Sequence, residues 1–387
     1  MIKNKRQTIF FIAVTIAMLV MIWFGITSHI DFGINQQDGV TFPSGRVIEV
    51  LDDQTGYNDV GARMGRQELL VRLTSGPRRG DIVEVQNMLF PIEQAVYART
   101  GDSIVVYFEQ APGAPDYQYF ARVQSHHRAP AIYTIILMFF GLLALVFGKT
   151  GLKSAFSLIF TFVVIIFLLL PLIVSGAPPA LLTIVLSICI VVVSLIAIMG
   201  FEKKTYVSIA GTIIGIACYC LFYLMIGAAL RITGFNIQQI DTLMVIGFTL
   251  RLDELLFCAI LIASLGALMD VSVSLASVIA ELSETNPKSD VKSLFNSGMK
   301  IGRDIIASSS NTLILAFTGT FLITLIFFRT HSFQYNMVMN RVDIGIEVLR
   351  AISASAAMIV CAPATALIGS RAYASLKANN TKKAKNR

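Results

Sequence analysis

Apolar residues follow two different rhythms along this chain. Between residues 38 and 128 they alternate with polar ones, the period-two pattern of half-buried strands. Elsewhere they run on for about 20 residues, the length that crosses ~30 Å of hydrocarbon. The long runs fall near 8–28, 131–148, 154–174, 179–199, 206–230, 254–280, 303–328 and 350–370. The alternating stretches fall at 45–51, 68–73, 81–86, 103–108 and 117–124, separated by turn sequences at Ser75-Gly76-Pro77, Arg79-Gly80, Thr100-Gly101-Asp102 and Pro112-Gly113. The pattern predicts an α-helical polytopic membrane protein of about eight transmembrane helices. A small extracytoplasmic β-barrel-like domain, OB-like or SH3-like, interrupts it. The expected division is an anchor at 1–30, a β domain at 38–128, a seven-helix domain at 131–372 and a basic tail at 373–387.

Composition agrees with lipid as the main solvent. Of the residues, 55% are apolar and 14% charged, and the mean hydropathy is +0.71, too apolar for one soluble core. The formal charge of +7 does not point to nucleic acid. Its excess comes from Lys3, Lys5 and Arg6 at one end and Arg371, Lys377, Lys382, Lys383, Lys385 and Arg387 at the other. Placing both ends in the cytoplasm also puts Lys149, Lys153, Lys203, Lys204, Lys288, Lys292 and Lys300 in cytoplasmic loops, as the positive-inside rule requires. The first run lacks a convincing small-residue cleavage site and reads as a retained anchor rather than a signal peptide. Cys189, Cys218, Cys220, Cys258 and Cys361 all fall in expected spans, so no disulfide framework is implied, and no metal site or cofactor is expected.

The chemistry-bearing stretch lies in the sixth and seventh runs. At 3.6 residues per turn Gly266, Asp270, Ser274, Ser277 and Glu281 share one helix face. Asp270 lies about 24 Å along the axis from Glu254 at ~1.5 Å per residue, well inside the span. An unpaired charged carboxylate there costs at least ~2.5 kcal/mol, so Asp270 is the leading candidate for ion coupling, with Ser274, Ser277, Asn311 and Thr312 around it. Asp304, Ser308, Asn311 and Thr312 form a stripe on the seventh run, and the two stripes are expected to face each other across a polar seam. Such a seam serves transport or only helix adhesion. Residues 288–301 read as a separate amphipathic segment along the inner membrane surface.

Glu281, Arg303 and Asp304 are candidates for a cytoplasmic gate. Arg251, Asp253, Glu254, Glu347 and Arg350, with Arg341 and Asp343 nearby, are candidates for an external gate or merely solvated ion pairs. Pro171 and Pro363 are helix breakers of the kind that line transport sites. In the external domain Tyr117, Tyr119 and Phe120 suggest a ligand platform or simply barrel core. His126 and His127 precede the second span as an interfacial pair, a metal-binding one or a pH-sensitive one. No zinc-protease, aspartyl-protease or P-loop motif is present and His29, His126, His127 and His331 all lie outside the spans, so no catalytic activity is expected.

The runs Gly266-Ala267-Leu268-Met269-Asp270, Gly302-Arg303-Asp304-Ile305 and Asn311-Thr312-Leu313-Ile314-Leu315-Ala316 resemble the YibE/F family of bacterial multipass membrane proteins. The similarity extends over nearly the whole chain, which looks like the longer, domain-bearing member of a pair. It implies the bacterial cytoplasmic membrane as location, and as partners, beside the bilayer, a paired membrane protein of the same family or further copies of this chain. An Asp inside one helix, an amphipathic segment and a polar next helix are also similar to the RND superfamily, although no large external domain stands between the expected spans. Two functions lead, and a channel stays open because a polar stripe lining water and one lining a transport site look alike in sequence. One is a permease or transport accessory protein, proton- or ion-coupled through Asp270. The other is a non-transporting scaffold whose external domain binds a partner or envelope polymer.

Overall fold

The computed structural model describes residues 2–28, 39–59, 61–90, 96–111, 113, 115, 118–232, 251–286 and 289–385, without the side chains of 2–4, 252 and 375–385. His29, Asp38, Pro112, Tyr117 and Lys288 lie outside the described residues. The chain forms two compact units, Asp31–Leu142 on the one hand and Met1–Ile30 with Leu143–Arg387 on the other.

The first unit holds a closed five-stranded barrel. Its strands are β2 (Ser44–Tyr57), β3 (Arg63–Leu73), β4 (Ile82–Leu89), β5 (Ser103–Glu109) and β6 (Phe120–His126), with a short β1 (Val40–Thr41) paired to β5. The order runs β5-β2-β3-β4-β6, and β6 closes the ring onto β5. All pairings are antiparallel except β4 with β6. Strict alternation drives the fold: in β4 every second residue (Val83, Val85, Asn87, Leu89) is buried, and Leu69, Val71, Leu73, Ile104, Val106 and Phe108 meet them in the core.

Two polar side chains enter this core and are bonded there. Gln67 and Asn87 are 0% and 2% exposed. Asn87 Nδ2 donates to Gln67 Oε1 (2.9 Å) and to the Val96 carbonyl (2.6 Å). Gln67 Oε1 also accepts from the Ala98 amide (3.1 Å), and Gln67 Nε2 donates to the Ala98 carbonyl (3.2 Å). The network ties the irregular stretch at Val96 and Ala98 to β3 and β4, where a strand would otherwise be needed to satisfy the backbone.

The helices are α1 (Ile2–Thr27), α2 (Ala129–Val164), α3 (Leu170–Val174), α4 (Pro179–Met199), α5 (Lys203–Leu230), α6 (Leu252–Thr285), α7 (Val291–Thr330), the short α8 (Tyr335–Met339) and α9 (Val342–Lys385). Among the described residues seven stretches are long and apolar enough to cross a membrane, the longest being Ala129–Val174. That stretch is broken at Gly148, whose φ of 55° and ψ of −128° suit glycine alone. A Cβ on Gly151 would collide with the Leu143 carbonyl, whereas residues eight apart in a straight helix stand ~12 Å apart. A π-helical turn, Ile165–Leu169, joins α2 to α3 and accommodates Pro171.

One expectation changes. Residues 288–301 do not form a separate interfacial helix. From Val291 they are the first turns of a continuous α7, started by Asp290, whose carboxylate accepts the Ser293 amide at 3.0 Å. Helix α9 itself runs on through most of the basic stretch, to Lys385.

Within the helical unit, side-chain contacts fix which ends lie together. Phe10 meets Phe201 and Phe11 meets Phe156 (centroids 5.6 and 5.0 Å). Ile279 lies against Gly298 and Gly369, and Gly369 against Val207. Arg6, Lys153, Lys203, Lys204, Lys300 and Arg371 therefore flank one end of the unit. At the other end the Ala180 amide donates to Glu254 Oε2 (3.1 Å) and Tyr223 Oη to the Asp253 carbonyl (3.4 Å).

Candidate functional site

Helix α6 is apolar enough to insert and sits deep in its unit, so its two faces can be read separately. The inner face carries Leu256, Phe257, Ile260, Leu261, Leu265, Leu268, Leu275 and Ile279, all buried. The outer face carries Ala259, Ala263, Gly266, Asp270 and Glu281, all exposed, with Ser274 and Ser277 half-buried at its margin. Among its described residues α6 exposes no large apolar side chain. Faces of α1 and α7 that suit lipid look different, exposing Ile12, Ile16 and Leu19, and Leu322, Ile323 and Ile326. Asp270 has no hydrogen bond or ion pair among the described residues.

The expected polar seam between α6 and α7 is a glycine seam instead. A Cβ on Gly298 would lie 2.9 Å from Ile279 Cγ1, and one on Gly302 would lie 3.2 Å from Leu275 Cδ1. The residue sums match, as antiparallel packing requires, so the hairpin stands. Small residues four apart let the backbones close. Asp304, Ser308, Asn311 and Thr312 point away and are exposed, with Thr312 Oγ1 returning to its own helix at the Ser308 carbonyl (3.0 Å). The structure brings Asp270, Ser274 and Ser277 onto one face but does not join them to Asn311 or Thr312 within the chain.

A different polar cluster fills the interior. Ser272 Oγ lies 3.0 Å from Cys361 Sγ, which lies 3.3 Å from the Gly211 carbonyl. Ser208 Oγ reaches the Ser272 carbonyl at 3.4 Å, and Thr365 Oγ1 bonds the Cys361 carbonyl at 2.8 Å. All are buried. A Cβ on Gly211 would overlap the Thr365 hydroxyl, and one on Gly215 would lie 3.2 Å from Cys361 Sγ. Pro363 of α9 stands between Cys361 and Thr365, where it withholds one backbone donor. Periodicity alone does not reveal this cluster; Gly211-x-x-x-Gly215 is its written signal, as Gly298-x-x-x-Gly302 is that of the α6–α7 seam.

The charged candidates pair locally. Arg251 bonds Glu254 (2.9 Å), Arg341 bonds Asp343 (2.6 Å) and Arg350 bonds Glu347 (3.1 Å), each within its own stretch. What crosses between helices is of another kind. Glu254 accepts the Ala180 amide at the start of α4, where a carboxylate also suits the helix dipole, and Arg350 lies over the Phe317 ring of α7 at 5.6 Å. At the opposite end Glu281, Arg303 and Asp304 are exposed, with no ion pair joining them among the described residues.

The model of the YibE/F-like protein family matches residues 135–375, more than half of the chain and all of α4 to α8. The chain belongs to the YibE/F-like family. The matched segment contains Asp270, the Ser272 cluster and both glycine seams, and it leaves α1 and the barrel outside, so the family's common part is narrower than the expected near-complete resemblance. No curated protein and no solved structure matches the chain.

Proposed function

We propose that this protein is a membrane permease or transport accessory protein coupled to protons or another ion through Asp270. The observation that carries this reading is a carboxyl group in mid-span, without a partner among the described residues, on the face of α6 that presents small and polar residues. Lipid is a poor neighbour for such a face, because an unpaired charge there costs at least ~2.5 kcal/mol. A hydrated path along Gly266, Ser274 and Ser277 would relieve that cost and let the carboxyl exchange protons. The break at Gly148 supports counting eight spans, and the cationic end supports a cytoplasmic placement of both termini in a bacterial cytoplasmic membrane.

Proton uptake into liposomes under an imposed pH gradient tests the reading. Wild-type protein should carry protons and Asp270→Asn should not; equal uptake by both refutes it.

A second reading, the scaffold, draws support from the barrel. Its strand order favours the OB-type alternative over the SH3-like one, and it carries a surface cavity of about 310 Å³ walled in part by Pro43, Leu73, Arg78 and Phe108. Under this reading, removing residues 38–128 abolishes the cellular function and Asp270→Asn leaves it intact.

A further inference from the structure

We propose that the outer face of α6 is covered by a second copy of this chain, whose α7 supplies the other wall of the polar path. The inference rests on the same Asp270 face as the transport reading and names what completes it. Among the described residues of one chain two polar stripes are left open inside the membrane-length helices. One is Gly266, Asp270, Ser274 and Ser277; the other is Ser308, Asn311 and Thr312. The first offers a carboxyl group and a small-residue surface, and the second offers amide and hydroxyl donors. They are complementary in hydrogen bonding, and neither meets the other at home.

Depth selects the occupant. The α6–α7 register set by Leu275 with Gly302 and Ile279 with Gly298 continues to place Ser308 within one residue of the level of Asp270 and Asn311 level with Gly266. A second copy inserted the same way, related by a two-fold axis along the membrane normal, keeps every residue at its own depth. Asp270 of each copy then lies beside Ser308 of the other, with Asn311 one turn away beside Gly266, twice over, in a closed isologous pair. Ala259, Ala263 and Gly266 give the close approach such helices use.

Two measurements decide it. Fluorescently labelled wild-type protein, diluted into liposomes and counted by photobleaching, should appear as pairs, and Gly266→Leu should abolish most of the pairing. Differently tagged chains carrying Gly266→Cys and Asn311→Cys should form an intermolecular disulfide on oxidation in membranes. Leu145→Cys with Ile323→Cys, at positions 82% and 81% exposed, should not. Single copies of the wild type, or equal cross-linking at both position pairs, overturn the proposal, as does a chain that stays single until a different membrane protein is supplied. Pairs that persist while uptake ignores Asp270→Asn refute only the coupling reading; single copies with Asp270-dependent uptake refute only the pairing.

Discussion

The barrel and helix α6 treat polar side chains in opposite ways. In the barrel, Gln67 and Asn87 are drawn fully inside and bonded to each other and to Val96 and Ala98. On α6, Asp270 is turned outward and meets no bonding partner among the described residues. The first arrangement finishes a fold: buried amides with their bonds made rigidify a small core. The second leaves a costly group where the fold has no use for it, the pattern from which the transport proposal starts. The inner face of α6 resembles the barrel in this respect, since Ser272 meets Cys361 in a glycine-lined seat.

The sharpest way to test that division is to damage the finished parts. Gly211→Val should destabilise the helical unit by at least the ~1–3 kcal/mol of an overpacked core, because even its Cβ overlaps Thr365. Gly227→Val, with open space at its Cβ, should leave thermal unfolding in detergent nearly unchanged. In the barrel, Gln67→Leu leaves Asn87 with its Val96 bond alone, strands the Ala98 N–H and should cost about 1–3 kcal/mol, read as faster hydrogen exchange at Ala98. Asp270→Asn, by contrast, should shift thermal stability by less than ~0.5 kcal/mol, as expected where no bond is lost. A large loss there would make Asp270 a structural residue and erase the contrast.

The smallest expected effect is an acid one. The Asp53 carboxylate accepts the Thr55 hydroxyl (2.6 Å) and also bonds Tyr97 and Gln67, and these bonds, Thr55 first, hold its pKa below the ordinary value. A depressed carboxyl contributes stability above its unfolded value, ~3.9, and loses it as pH falls through the folded one. Barrel unfolding followed into acid should therefore show a destabilisation that Asp53→Asn flattens.

The strands were legible because burial on one face writes itself as alternation, and each expected stretch lies within or overlaps an observed strand. Helix positions were legible from continuous apolarity, but helix ends were not: nothing in Lys292 to Ile301 distinguishes the first turns of α7 from an interfacial helix. The seam between α6 and α7 was misread for a related reason. Periodicity tells which residues share a face, and Asp270, Ser274 and Ser277 do share one, but it does not tell which face meets a neighbour. Glycine spacing does, since Gly298 and Gly302 sit where backbones approach, and Gly211 and Gly215 mark the interior cluster in the same way.

The central claim is that Asp270 faces a hydrated polar path and not lipid. Infrared difference spectroscopy of the protein in liposomes, wild type against Asp270→Asn, isolates the carboxyl band of this one residue. The account predicts that the band shifts promptly when the buffer is changed to D₂O and responds to buffer pH; a band indifferent to both would place Asp270 out of water's reach and contradict it.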